Sequence, residues 1–217
     1  MVAQAMQVHQ ARGVDELVLL DVRATAEGRG PDLDLIATVS AEVFAPLSVG
    51  GGVTSPSHVL ELLRAGADKV VIGTAAWTQP GLVRRCADLV GCQAIVVSLD
   101  VGFHGSVMTH CGTKPHAHRP VECAVWAERQ GAGEILLQSI DRDGSMVGYD
   151  LQLVEAVSAA VGIPVIASGG GGNYGHMAEA LLAGASAVAA GAMFQFTDQT
   201  PRGAAKFLAE RGIEVRV

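Results

Sequence analysis

At 217 residues, with 49% hydrophobic and 17% charged residues and a formal charge of -7, the chain can bury a sizeable core and offers no basic surface to nucleic acid or an anionic membrane. Its four cysteines, Cys86, Cys92, Cys111 and Cys123, form no C-x-x-C pair and fit a reduced, cytoplasmic protein. No run reaches ~18 apolar residues and the start "MVAQAMQVHQARG" lacks the basic flank of a signal peptide, so neither secretion nor membrane insertion is expected.

In chain order, "ELVLLDV" predicts a strand, "DLDLIATVSAEV" a helix, "PLSV" a strand, "SPSHVLELLRAGA" a helix, "KVVIG" a strand and "GLVRRCADLV" a helix. The strand "AIVVSLD" follows. Next comes a stretch with His104, His110, Cys111, His116, His118 and Cys123, whose spacing fits no compact zinc pattern and reads as an extended β-ribbon over the mouth of a site. Helix "VECAVWAERQGA", strand "EILLQSI", helix "DLQLVEAVSAAV", strand "PVIAS", helix "GHMAEALLAGA" and strand "AVAAG" complete the series. Strands apolar on both faces and separated by helices form right-handed βαβ units and a parallel sheet.

An internal repeat decides between an open and a closed sheet. Shifting the chain by 118 positions aligns residues 13–73 with 131–191, giving 22 identities in 61 pairs, among them Gly51-Gly52 with Gly169-Gly170, His58 with His176 and Gly73 with Gly191. Two such halves predict an α/β fold of the TIM (βα)8 barrel type, one domain over residues 1–217 with half-barrels at 1–93 and 94–217. The symmetry mate of "AIVVSLD" would lie before Met1, so the first barrel strand is expected to be missing. An open barrel of seven strands exposes two edges, and poor solubility or inactivity is the expected consequence unless another segment fills the gap.

Barrel chemistry gathers at the carboxyl ends of the strands. There, "SVGGGVTSPSH" and "IASGGGGNYGH" each join a strand to a helix, with glycines that let backbone N–H groups approach a phosphate; a tight turn without a ligand is the plain alternative. The same device presented twice points to a substrate with two phosphates. Residues 170–175 also satisfy G-x-G-x-x-G, but "AVAAGAM" offers no acidic residue for a dinucleotide ribose. Asp21 and Asp100 each end an apolar strand, where a carboxylate is costly unless it is used, as an acid or base or in a salt bridge or helix cap. Asp141 and Asp143 follow "EILLQSI" and fit either a site or an Asx turn. At the opposite ends of the strands, Glu16, Lys69 and Glu134 form either a solvated rim or a charged plug under the barrel.

The pieces "DELVLLD", "VGGGV", "GADKVVIGTAA", "AIVVSLD", "GAGEILLQSIDRDGSMVGYD" and "PVIASGGGG" together resemble the cyclase subunit family of imidazole glycerol phosphate synthase, HisF, over nearly the whole chain. The resemblance implies a lyase of histidine biosynthesis that needs no cofactor or metal. It combines ammonia with a ribulosyl-aminoimidazole-carboxamide ribotide phosphorylated at both ends, and releases imidazole glycerol phosphate and an aminoimidazole carboxamide ribotide. It also implies a heterodimer with a HisH-type glutaminase docked under the barrel, which sends ammonia through the interior. Glu16, Lys69 and Glu134 then match the charged ring at the channel entrance, whose arginine has no counterpart here.

Asp100 matches one of the family's two acid-base aspartates, and the other would lie before Met1. Asp21 and Asp143 are expected to orient substrate. Phosphate contacts carry over onto Gly51, Gly52, Gly73 and Thr74, and onto Gly169, Gly170, Gly191 and Ala192. The family usually has Asn where Gly73 stands and Ser where Ala192 stands. "TAEGRGPDLDLI" and "RPVECAVWA" resemble a second HisF-type branch that transfers ammonia to a nucleotide sugar. A non-catalytic barrel that only supports a glutaminase is the alternative from another class.

Overall fold

The computed structural model describes residues 2–216. Helix α1 (Val2–Ala11) leads into β1 (Leu17–Leu20), the short α2 (Ala24–Glu27), α3 (Leu33–Glu42), β2 (Leu47–Gly50), α4 (Pro56–Arg64), β3 (Lys69–Ile72), α5 (Thr74–Thr78) and α6 (Leu82–Val90). The chain continues with β4 (Ile95–Gly102), a ribbon of β5 (Ser106–Thr109) and β6 (Lys114–Pro115), α7 (Pro120–Arg129), β7 (Glu134–Ser139) and α8 (Leu151–Ser158). It finishes with β8 (Val165–Ser168), α9 (Tyr174–Leu182), β9 (Ala187–Ala189), α10 (Ala192–Phe196) and α11 (Pro201–Ala209).

The seven expected strands run in the order β1-β2-β3-β4-β7-β8-β9, all parallel, with helices between them. This is the curled parallel sheet of a TIM-type α/β barrel. Among the described residues β1 and β9 do not pair, and Val18 and Leu20 on β1 are 37% and 40% exposed. The expected open edge is therefore present. The ribbon is also where the sequence predicts it, antiparallel to the end of β4.

The repeat is exact in register. Leu17 pairs with Leu47 as Ile135 pairs with Val165, and Ser48 pairs with Lys69 as Ile166 pairs with Ala187. Hydrogen bonds outside the ladders repeat as well: Leu17 N donates to Pro46 O and Ile135 N to Pro164 O, both at 2.9 Å. Asp32 caps α3 by accepting from Leu35 N, and Asp150 caps α8 by accepting from Leu153 N.

Strand alternation sorts the core. Outward-facing residues such as Leu47, Val49, Val70 and Ile72 pack under Val39, Val59 and Leu62, while Leu99, Ile135, Leu137 and Val165 pack under Val154, Val157 and Met177. Each large aliphatic side chain buried this way contributes about 1.5–3 kcal/mol. The opposite parity gives a smaller inner cluster of Val71, Val96 and Leu136, with Ile166 against it.

Helices α1, α2, α5, α10 and α11 are absent from the sequence reading. In α1 only Met6 is buried, so its apolar periodicity is weak. Helices α5 and α10 are five residues each, too short to show a period.

Candidate active site

Each barrel strand ends in a residue singled out from sequence, and the fold brings these ends to one rim. Gly51 and Gly52 follow β2, and Gly169 and Gly170 follow β8, all with positive φ, from +68° to +107°. A Cβ at Gly51 would run into the Asp21 carbonyl, and one at Gly169 into that of Ser139. Only glycine fits such an approach at such a φ. Among the described residues the N–H groups of these four glycines donate to no acceptor, which leaves them for a ligand.

In the second half the loop closes around a small cavity of about 20 Å³, lined by Asp143, Gly144, Ser168–Gly171 and Ala189–Ala192. The structure thus unites Asp143, Gly169, Gly170, Gly191 and Ala192. Asp141 does not line that cavity.

In the first half, Gly73 and Thr74 open α5, and the Thr74 hydroxyl accepts a 2.8 Å hydrogen bond from His110 N at the turn of the ribbon. Three consecutive residues of that turn, His110, Cys111 and Gly112, have positive φ of 52°, 57° and 77°. The Cys111 thiol reaches Val22 O at 3.1 Å, so the ribbon is held across the rim to the end of β1. Sequence reasoning places the ribbon but misses its bond to Thr74, because a contact over 36 positions leaves no periodic trace.

Asp100 points inward from β4 and is largely buried. Its Oδ1 accepts a 2.7 Å bond from Ser98 Oγ, and Ser98 O accepts from the Trp77 indole N–H at 3.1 Å. Burial pushes the Asp100 carboxyl above its ordinary value, and the Ser98 bond works against that rise. Ser98 is itself 7% exposed and was missed, although its spacing of two from Asp100 puts both on one strand face.

Asp21 is in a different situation. Its Oδ2 lies 2.6 Å from Arg29 Nη1, and its Oδ1 accepts from the amides of Arg23 and Ala24 at the start of α2. The Arg29 bond, with help from those amides, holds its carboxyl below the usual range. Both plain readings made from sequence, salt bridge and cap, are thus realised together. Asp21, Arg29 and Gly51 line a second cavity of about 360 Å³ along the open edge of β1.

At the amino ends of the strands, Lys69 Nζ lies 3.0 Å from Glu16 Oε2 and 2.7 Å from Glu134 Oε1. Burial opposes the Lys69 charge, but the bonds to Glu134 and Glu16 outweigh it and hold the ammonium above its ordinary range. The three charges are joined in one ion-paired cluster, with Lys69 and Glu134 each 19% exposed and Glu16 46%. The second Glu134 oxygen, Oε2, is buried with no partner among the described residues. Above these charges the interior is apolar, through Val71, Val96 and Leu136, up to Ser98 and Asp100.

The described residues contain no group of three His, Cys, Asp or Glu side chains arranged to hold a metal ion. Cys123 Sγ does lie 3.7 Å from His116 Nδ1, but burial pushes that thiol up to about 11, so it is uncharged near neutrality. No described helix is long and apolar enough to cross a membrane.

Known proteins carry the same framework. The family model described as "Histidine biosynthesis protein" matches residues 1–200. The imidazole glycerol phosphate synthase subunit HisF of Thermococcus gammatolerans is 45% identical over 212 residues, which is 96% of this chain and 84% of that protein. The HisF subunits of Thermococcus onnurineus and Pyrococcus furiosus are each 43% identical over the same shares. Matches of this depth, over a duplicated barrel with paired glycine loops, show that the chain belongs to the histidine biosynthesis family and, within it, to the HisF subunits of imidazole glycerol phosphate synthase.

Proposed function

We propose that the chain is the cyclase of an imidazole glycerol phosphate synthase, a lyase-type enzyme that uses ammonia to convert the bis-phosphorylated ribulosyl-aminoimidazole-carboxamide ribotide to imidazole glycerol phosphate. The observation that carries this is the 43–45% identity to HisF subunits over 96% of the chain. The paired loops support the substrate's form. Free amides at Gly51-Gly52 and at Gly169-Gly170 sit at corresponding places in the two halves, so each phosphate has its own cradle, completed by Gly73-Thr74 or Gly191-Ala192.

Asp100 is the residue we assign to proton transfer. A partly buried carboxyl with a raised pKa holds a proton closer to neutrality, which suits a general acid or base. Asp143, beside the second loop, orients substrate directly. Asp21 acts through the loop it ties to Arg29, whose backbone leans on Gly52.

The relatives are subunits by name, and the finer reading is a HisH-type glutaminase bound under the barrel, working in the cytoplasm with no cofactor. In that reading ammonia passes the Glu16–Lys69–Glu134 plug and the apolar interior to reach Asp100. Glutamine-derived nitrogen is released as ammonia, and an apolar interior offers that neutral molecule a route once the edge between β1 and β9 is filled.

The test is formation of imidazole glycerol phosphate from the ribotide with ammonium salt, alongside rescue of a histidine auxotroph lacking its own HisF. Product and rescue are expected once a strand fills the open edge between β1 and β9. Absence of both, with transfer of ammonia to a nucleotide sugar, would replace the histidine reading by the second branch.

A further inference from the structure

We propose that His58 and His176 are positioning residues that set the shape of the two glycine loops and, through it, the affinity of each loop for a phosphate. The proposal rests on reading those loops as phosphate cradles. The two histidines occupy equivalent positions, 118 apart, each at the third residue of the helix that follows its loop.

Around each one the same reciprocal pattern recurs. Ser55 Oγ accepts from His58 N at 3.3 Å, and Asn173 Oδ1 accepts from His176 N at 3.0 Å. In return, the amide of Thr54 lies 3.3 Å from His58 Nδ1, and the amide of Gly172 lies 3.3 Å from His176 Nδ1. This is the logic of a capping box, with an imidazole in place of Glu or Gln and a reach one residue further back. It supplies an acceptor without adding negative charge beside a bound anion. His58 Nδ1 is also 3.2 Å from Gly52 O, so in the other tautomer the ring donates to the loop instead. Either way the ring is tied to it.

The far side of each ring faces a glycine. A Cβ at Gly30 would lie 3.3 Å from His58 Cε1, and one at Gly148 would lie 3.6 Å from the His176 ring. Each imidazole therefore lies between its glycine loop and the glycine of the preceding strand-to-helix loop, in space that a side chain there would narrow. The amides taken by the rings, Thr54 and Gly172, are the outer ones. Those of Gly51, Gly52, Gly169 and Gly170 remain free for a ligand. Replacing either ring removes the loop's outer anchor and leaves the free amides without a fixed direction.

The experiment titrates inorganic phosphate into wild type, His58→Ala, His176→Ala, His58→Gln and His176→Gln, and measures thermal midpoints and the ammonium-dependent KM and kcat for each. Each alanine variant is expected to bind phosphate about five- to tenfold more weakly, the size of one lost hydrogen bond, with the loss falling on KM rather than kcat. The glutamine variants should recover most of the affinity, because their amide oxygen accepts the same N–H. Wild-type phosphate affinity in the alanine variants, or a glutamine loss as large as the alanine loss, overturns the proposal while leaving the cradles standing. No phosphate binding by wild type, and no change of KM in Gly170→Ala, overturns both.

Discussion

Ser98→Ala tests the electrostatics of the barrel interior with a single oxygen. The hydroxyl donates to Asp100 at 2.7 Å from a position 7% exposed. The Ser98 carbonyl, which holds Trp77, stays in place in the variant. A hydrogen bond to a charged group contributes about 1.5–3 kcal/mol, or about one to two pKa units at 1.36 kcal/mol per unit. Burial already raises the Asp100 pKa and Ser98 opposes the rise, so removing it should move the pKa further up by that amount. The limb of the pH profile of kcat that Asp100 governs, measured with ammonium salt, should shift to higher pH by about one to two units.

Stability follows the same sign. A carboxyl whose folded pKa lies above its ordinary 3.8 binds its proton more tightly when folded. It therefore favours folding below that value, and the contribution is lost as pH rises through the folded pKa. Ser98→Ala should match wild type most closely in acid and fall behind as Asp100 ionises. A limb that stays put, or moves to lower pH, would refute the assignment of Asp100 and its coupling to Ser98 together.

Lys69→Met removes the cation between Glu16 and Glu134 and leaves a half-buried carboxylate alone; with both Lys69 and Glu134 side chains 19% exposed, the cost should be about 2–3 kcal/mol, read as a lowered thermal midpoint. The same variant should keep its ammonium-dependent rate and lose glutamine-dependent turnover when a glutaminase is added. Gly191→Ala meets open space, so its stability should stay within about 0.5 kcal/mol of wild type, and any rise in KM then reports a lost ligand contact rather than a lost fold. Ala192→Ser adds a hydroxyl to the second cradle and should lower KM for the ribotide, measured by initial rates. Thr74→Val removes the acceptor for His110 N and should raise KM while loosening the ribbon, detected as faster amide exchange at His110.

The strands and the duplication were legible because they are written in local apolar runs and in a fixed offset. Both survive in the register, where β1-β2-β3 and β7-β8-β9 pair at identical spacing. The glycine loops were legible for the same reason, since a forced positive φ leaves glycine as its mark. What stayed hidden depends on partners distant in sequence or on short pieces. Arg29, eight residues from Asp21 in an irregular loop, gives no pattern that announces their 2.6 Å pair. His110 reaches Thr74 only because a ribbon folds back, and His58 and His176 showed as matching letters without their bonds. Helix α1 went unseen because a helix that buries one methionine carries almost no amphipathic signal.

The two halves agree in backbone but differ at most of their aligned side chains, and two of the differences fall at the rim. Asp21 corresponds to Ser139, and Thr74 with its ribbon contact to Ala192. A perfectly twofold cradle would accept a two-ended molecule in either direction and could not tell head from tail. Breaking the symmetry at these places gives the rim a polarity. On the proposed function, one phosphate would meet a threonine hydroxyl under the ribbon and the other a small pocket beside Asp143, so that the two headings of the substrate are no longer equivalent.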